Sequence, residues 1–209
     1  MAADSLFEQL KHPNPHMRQR ALREIVDTRD DDTIPRLMGA LGEEDVVYRR
    51  TAVKTLGAIG MDSVPAVVEQ MLSHENDTVR ASCTKAMAQI AVNHPDTKFP
   101  EEGLAALRKA MEDPYPVVQI AAVMSLGEIG VPAVDTLLES LKTTGNVAIA
   151  LTITNTLGSI GDPRAVDVLR DLIKDESVDS YVRETAESAL PRLENMITLG
   201  NVKGNDRNS

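Results

Sequence analysis

Aromatic residues are nearly missing from this chain of 209 residues, which has no Trp, two Phe and three Tyr. Sandwiches and barrels draw on aromatic and β-branched side chains, so the composition disfavours an all-β core. An aliphatic palette of Leu, Ile, Val, Ala and Met suits helix-on-helix packing, where Ala lets helices approach and Leu fills the gaps. Cysteine is represented by Cys83 alone, which excludes an intramolecular disulfide and fits a reducing compartment. No apolar run approaches the roughly 20 residues of a membrane span. The start MAADSLFEQL lacks the basic-then-apolar pattern of a secretion signal. These readings place the protein in the cytoplasm, or in a plastid stroma. Positive charge is short as well, with 22 Lys and Arg against 32 Asp and Glu and a formal net charge of −10. A nucleic-acid backbone is on the whole repelled by such a chain, and no nucleic-acid partner is expected. The four histidines, His12, His16, His74 and His94, form no recognisable ligand set, so no metal site is expected. No Gly-rich loop of the phosphate-cradling kind follows a strand.

What the sequence does have is repetition, and a fixed period decides architecture. LGAIG (56–60), LGEIG (126–130) and LGSIG (157–161) are nearly one pentapeptide, and MAQIA (87–91) is a degenerate copy. Leu56 to Met87 and Leu126 to Leu157 are both intervals of 31 residues, and Leu157 to Leu190 is one of 33. Each pentapeptide ends a helix, with its last Gly as the C-terminal cap. A second helix then starts with proline in its first turn, as in Val64-Pro65, Val131-Pro132 and Asp162-Pro163, where the missing N–H does no harm. Asn14, Asp45, Asn76, Asn146 and Asp179 stand just before the longer helix B of each repeat, where a short polar side chain caps free N–H groups. Within helix B the pattern Val-Arg-x-x-Ala-x-x-x-Leu-Gly places apolar residues on one stripe.

The fold class read from this is all-α, an α-solenoid of about six helix-pair repeats, at about 4–28, 33–60, 63–92, 100–129, 131–160 and 163–194. Residues 1–195 form one array, and the polar tail 196–209 is expected to be disordered. The longest connection, Asn93 to Phe99, reads as a hinge, a contact loop or a plain surface insertion.

The pattern Val-Arg-x-x-Ala, Leu-Gly-x-Ile-Gly, Pro-x-Val-x-x-Leu resembles the HEAT-like repeat named after phycobilisome lyases, over roughly residues 4 to 194. Among compact acidic chains of this length, the nearest group contains the E/F-type bilin lyase subunits and the related phycobilisome-degradation protein. The resemblance implies a linear tetrapyrrole (phycobilin) as substrate and no obligatorily bound cofactor. It implies a protein partner too, either a phycobiliprotein subunit or a second HEAT-like subunit. It maps no catalytic residue onto this chain. Whether the chain is an enzyme stays open between a subunit of a phycobilin lyase, holding pigment or acceptor on its concave face, and a non-enzymatic adaptor or assembly scaffold.

Three helix-B positions carry the binding hypothesis. Arg18, Arg49, Arg80 and Arg183 share a slot expected to form a structural ladder to neighbouring repeats, which Gln119 and Ala150 break. The next slot reads Gln19, Arg50, Ala81, Ile120, Leu151, Glu184, and a third reads Arg23, Lys54, Lys85, Met124, Asn155, Ser188. A basic stretch therefore adjoins an apolar one. The candidate surface is Arg23, Arg50, Lys54, Lys85, Tyr115, Ile120, Met124, Leu151 and Asn155. It would suit an acidic amphipathic partner, or a bilin whose propionates need cations and whose rings need apolar cover. The competing reading packs Ile120, Met124 and Leu151 against adjacent repeats. Tyr48 and Tyr115 either stack on a ligand or fill grooves between repeats. Cys83, in a slot shared with Ala52, Ala122 and Ala186, reads as core.

Overall fold

A short helix A pairs with a longer helix B throughout the chain. The computed structural model describes residues 2–205, with side chains over 4–199. The pairs are α1 (Ala2–Gln9) with α2 (Pro15–Asp27), α3 (Thr33–Gly39) with α4 (Val46–Ile59), and α5 (Val64–Ser73) with α6 (Asp77–Asn93). They continue as α7 (Glu101–Ala110) with α8 (Pro116–Ile129), α9 (Val134–Thr143) with α10 (Val147–Ile160), and α11 (Arg164–Lys174) with α12 (Ser180–Asn205). No strand occurs among the described residues. The fold class is the all-α solenoid of helix pairs that the period implies.

The caps act where the sequence puts them. Asn14 accepts from the His16 amide, Asp45 from Val47 and Tyr48, Asn76 from Thr78, Asn146 from Ala148, and Asp179 from Tyr181. At the C-terminal ends Gly60, Gly130 and Gly161 have φ of +84°, +77° and +81°, a region other residues avoid. In the third repeat Ala88 and Ala91 replace the two glycines. Without the terminator α6 runs on to Asn93, 17 residues against 14 in α4, α8 and α10. The insertion that follows is packed at both ends. A Cβ on Gly60 would lie 2.5 Å from the His94 ring, one on Gly103 would lie 2.8 Å from the Phe99 ring, and Phe99 is buried.

The first glycine of the pentapeptide has a separate duty. A Cβ on Gly57 would sit 2.4 Å from Gln89 Cβ, one on Gly127 would sit 2.7 Å from Thr156 Cγ2, and one on Gly158 would sit 2.7 Å from Ala189 Cβ. Each is a place where one helix B approaches the next at near-backbone distance.

The chain divides into two compact units, Met1–Ser125 and Leu126–Ser209, with the division inside α8. Leu10, Leu37, Leu56, Met87 and Leu107 are fully buried in the first, and Leu137, Ile153 and Leu157 in the second. The expected tail needs correction. Helix α12 passes through Pro191 and continues to Asn205, so residues 196–205 are helical, while 206–209 lie outside the described residues. The physical reason is packing: Met196 seats on Gly161, where an added Cβ would meet Met196 Cβ at 3.0 Å.

Gly158→Ala therefore overpacks the α10–α12 contact and should cost about 1–3 kcal/mol in urea denaturation. Gly145→Ala, with nothing within 4 Å of the new methyl, should stay within about 0.5 kcal/mol of wild type.

Candidate functional site

Three of the four helix-B arginines turn inward on their own repeat, while Arg183 has a buried Nε without a hydrogen-bond partner among the described residues. Arg18 Nη1 donates to the carbonyls of His12 and Pro13, Arg49 Nη1 to those of Glu43 and Glu44, and Arg80 Nη1 to those of His74 and Glu75. Each guanidinium thus occupies the turn that follows its own helix A, where carbonyls have no helical partner. The expected ladder between repeats is a local clamp instead, and only Arg80 among these three also reaches onward. Gln119 retains a clamp of this kind, donating from Nε2 to the Asp113 carbonyl at 2.6 Å. Ala150 makes none. The turn before helix B is closed by the residue two before the cap. His12 Nδ1 accepts from the Asn14 amide, His74 Nδ1 from Asn76, and Asp113 Oδ1 from Tyr115. His12 and His74 are thereby structural acceptors.

Arg80 joins the third repeat to the fourth. Its Nε and Nη2 fork onto Asp113 at 2.6 and 2.9 Å, and both side chains are over nine-tenths buried. Burial by itself raises the Asp113 carboxyl, but the Arg80 hydrogen bonds, the Tyr115 amide and the Arg80 charge outweigh it and hold it below its ordinary value. The Tyr115 ring lies over the Arg80 guanidinium at 5.4 Å, a cation–π distance. Tyr115 occupies the cap position and is 50% exposed, so an open aromatic face rests on a buried, doubly tethered cation. Tyr48 takes the other course. It is buried, with Lys11 over its ring at 4.7 Å, and fills a groove between repeats.

The predicted surface residues separate into two groups. Arg23 on α2, Arg50 and Lys54 on α4, and Lys85 on α6 are exposed. Among the described residues they have neither a hydrogen-bond nor an ion-pair partner. They stand on three consecutively packed helices. On α8, Ile120 and Met124 are 38% and 61% exposed. These six and Tyr115 belong to the first unit. Leu151 and Asn155 belong to the second. Leu151 is half-buried, and Asn155 Oδ1 accepts from Arg192 Nη2 at 3.0 Å. Sequence reasoning missed Val117, 49% exposed, which lies three residues before Ile120 on the same stripe. It missed Asp113 too, whose partner is 33 residues away.

HEAT repeats are matched over residues 3–88 and 104–191. The chain belongs to the HEAT-repeat family. It is 52% identical over 194 residues to the phycocyanin operon protein Z of Pseudanabaena tenuis (strain PCC 7409), covering 93% of this chain and 96% of that one. It is 32% identical over 171 residues to the bilin biosynthesis protein CpeZ of Synechococcus sp. (strain WH8020), covering 79% and 92%. Among solved structures, the complex of CpcE and CpcF of phycocyanin lyase from Nostoc sp. PCC7120 matches with a TM-score of 0.49 at 18% identity, over 74% of this chain and 97% of that one. Nothing about function is carried over from a likeness of that degree.

Chemically, the described surface of this HEAT-repeat chain presents cations and apolar side chains. No group of three or more His, Cys, Asp or Glu among the described residues could hold a metal ion, and no described helix is long and apolar enough to cross a membrane. Cys83 is fully buried, and burial pushes its thiol up to about 12, so the thiolate that would act as a nucleophile is scarce. Native protein at pH 8 should leave Cys83 unmodified by iodoacetamide, and urea-unfolded protein should react. Asp113→Asn should cost about 3 kcal/mol, because it leaves Arg80 buried without its counter-charge. The lowered carboxyl contributes stability that is complete above the ordinary carboxylate range and lost as pH falls through the folded value. The gap between wild type and Asp113→Asn in urea titrations should be full at pH 7 and shrink below about pH 4.

Proposed function

We propose that this protein serves the attachment of phycobilins to phycobiliproteins, as a HEAT-repeat lyase subunit or chaperone-like factor. It holds a linear tetrapyrrole, an acceptor phycobiliprotein subunit, or both, and works alone or with a second HEAT-like subunit. The observation that carries this reading is kinship along most of the chain, at 32% identity, with a protein named for bilin biosynthesis. The relative named for a phycocyanin operon, 52% identical, points the same way. The surface chemistry supports it. Unpaired cations suit propionates or acidic side chains, and the open apolar stripe suits rings or aliphatic groups. Holding two reactants in place lowers a barrier without a nucleophile in the holder. We place binding residues on the helix-B faces of each unit taken by itself: Arg23, Arg50, Lys54, Lys85, Tyr115, Ile120 and Met124 in the first, and Leu151 and Asn155 in the second.

A second reading, a protein-binding adaptor without pigment or turnover, is favoured by the buried, unreactive Cys83. Co-expression separates the two. The protein is produced with a bilin-making pathway and candidate phycobiliprotein subunits, with and without a second HEAT-like subunit, and zinc-enhanced fluorescence is read on the separated subunits. Pigmented subunits that appear only when this chain is present are the expected result. Pigmentation that never depends on the chain would move the assignment to the adaptor.

A further inference from the structure

Exposure on α4 and α6 is confined almost entirely to two lysines. From Thr51 to Gly60 the sole exposed residue is Lys54, and from Val79 to Ile90 it is Lys85. They are 31 residues apart and hold the same register on helices that pack directly. The two helices come close beside them. One turn after the lysines, a Cβ on Gly57 would meet Gln89 Cβ at 2.4 Å. Packed helices lie about 8–10 Å apart, and a missing side chain at the contact puts this pair near about 8 Å.

Neither lysine is neutralised on its own helix. Helix α4 contains no Asp or Glu, and α6 contains only Asp77, in its first turn. Arg50, one turn before Lys54, is a third exposed cation. The hydroxyls of Thr51, Thr55 and Ser82 donate to carbonyls four residues back, so they do not compete for a ligand. In one direction the row ends at Arg23, whose face holds Glu24 and Asp27. In the other it turns apolar. Met124 takes the register of Lys85 and Ile120 that of Ala81, on α8, which the Arg80–Asp113 pair ties to α6.

We propose that Lys54 and Lys85 form a two-point clamp for the paired propionates of a linear tetrapyrrole, which lies across α4 and α6 with its remaining rings toward Ile120 and Met124. The proposal rests on the function proposed above for the class of ligand. The two propionates leave neighbouring rings, whose centres ordinary bond lengths place about 5 Å apart. Each acid adds a two-carbon arm and each lysine a flexible four-carbon stem, so both pairs close at once over the spacing of the two helices. The numbers agree as well, with two acids and two isolated lysines. The end rings carry no acid and need apolar cover, which the same registers supply on α8. The ligand thus follows the row from repeat to repeat, across the helices. The specificity residues are the two lysines, because charge-assisted bonds to carboxylates are made only by a free diacid.

The test uses the purified full chain, with no acceptor and no second subunit. Biliverdin and its dimethyl ester, which share a chromophore and differ in the two acids, are titrated separately and followed by visible absorption and induced circular dichroism. Wild type should bind the diacid about 10-fold more tightly than the diester, the sum of two exposed charge pairs. Lys54→Gln/Lys85→Gln should bring the two ligands within about 2-fold of each other while leaving the affinity for the diester unchanged. A merely structural role would shift both ligands. Lys109→Gln/Lys174→Gln, which removes the same charge elsewhere, should keep the preference. Higher salt should weaken the diacid alone. Wild type that binds neither ligand, or both equally, would overturn the proposal, as would a preference that survives the Lys54/Lys85 substitutions or is lost in the Lys109/Lys174 control. Far-ultraviolet circular dichroism checks that each variant folds, and Lys54→Arg/Lys85→Arg should restore the preference. Pigmentation in co-expression without discrimination here would leave bilin attachment standing and remove the clamp. Discrimination here without pigmentation in co-expression would leave the clamp and remove attachment.

Discussion

Helix B lying against the next helix B at near-backbone distance is the contact on which much of this structure depends. It requires a residue without a side chain at a fixed place in the repeat, and Gly57, Gly127 and Gly158 supply it. Three residues later the second glycine adopts positive φ and stops the helix. One pentapeptide therefore sets both how closely helices approach and where each ends. The arginine clamp completes the unit by occupying carbonyls in the turn after helix A, so the A-to-B turn is tied before any neighbouring repeat is added.

The consequence for function is geometric. When equivalent residues recur every 31 positions on helices that pack in succession, a single slot in the sequence becomes a row on the surface. Lys54 and Lys85 face outward for the same reason that Ala52 and Cys83 face inward, since their positions on helix B are fixed relative to the glycines. Specificity then arises from what evolution writes into exposed slots, at little cost to the core. Helix α4 contributes no acidic residue near Lys54, and α6 only Asp77 in its first turn, whereas Glu24 and Asp27 share the face of Arg23.

The repeat, its caps and its helix-terminating glycines were legible because each recurs several times at one spacing. The double duty of the pentapeptide was less so, since glycine marks a cap and a close approach with the same letter and only the neighbour, Gln89 or Ala189, tells them apart. Whether Ile120 and Met124 pack or face solvent was illegible for a related reason: α8 is apolar on both sides, and a periodicity argument needs a polar side for contrast. Leu151, in the slot of Ile120 one repeat on, came out half-buried. Asp113 carried no local signal, as its meaning lies with Arg80. The helical stretch after residue 195 was hidden by polar composition, since a single contact, Met196 on Gly161, is not visible as a pattern.

Several departures from the repeat fall at the junction of repeats three and four. Ala88 replaces the close-approach glycine, Ala91 the terminator, an insertion follows, and Tyr115 stands where a capping Asn or Asp would be. At this junction a buried ion pair, Arg80 with Asp113, bridges the two repeats. A buried pair is weak as a source of net stability, because desolvation consumes much of its attraction. Stability alone therefore does not explain its presence. What it does provide is direction: a guanidinium held at four oxygen atoms cannot shift, and the aromatic ring above it is fixed in turn. The sequence gives up a capping side chain at this junction and obtains a rigid, half-exposed tyrosine at the head of an apolar stripe. Generic packing would not favour that exchange.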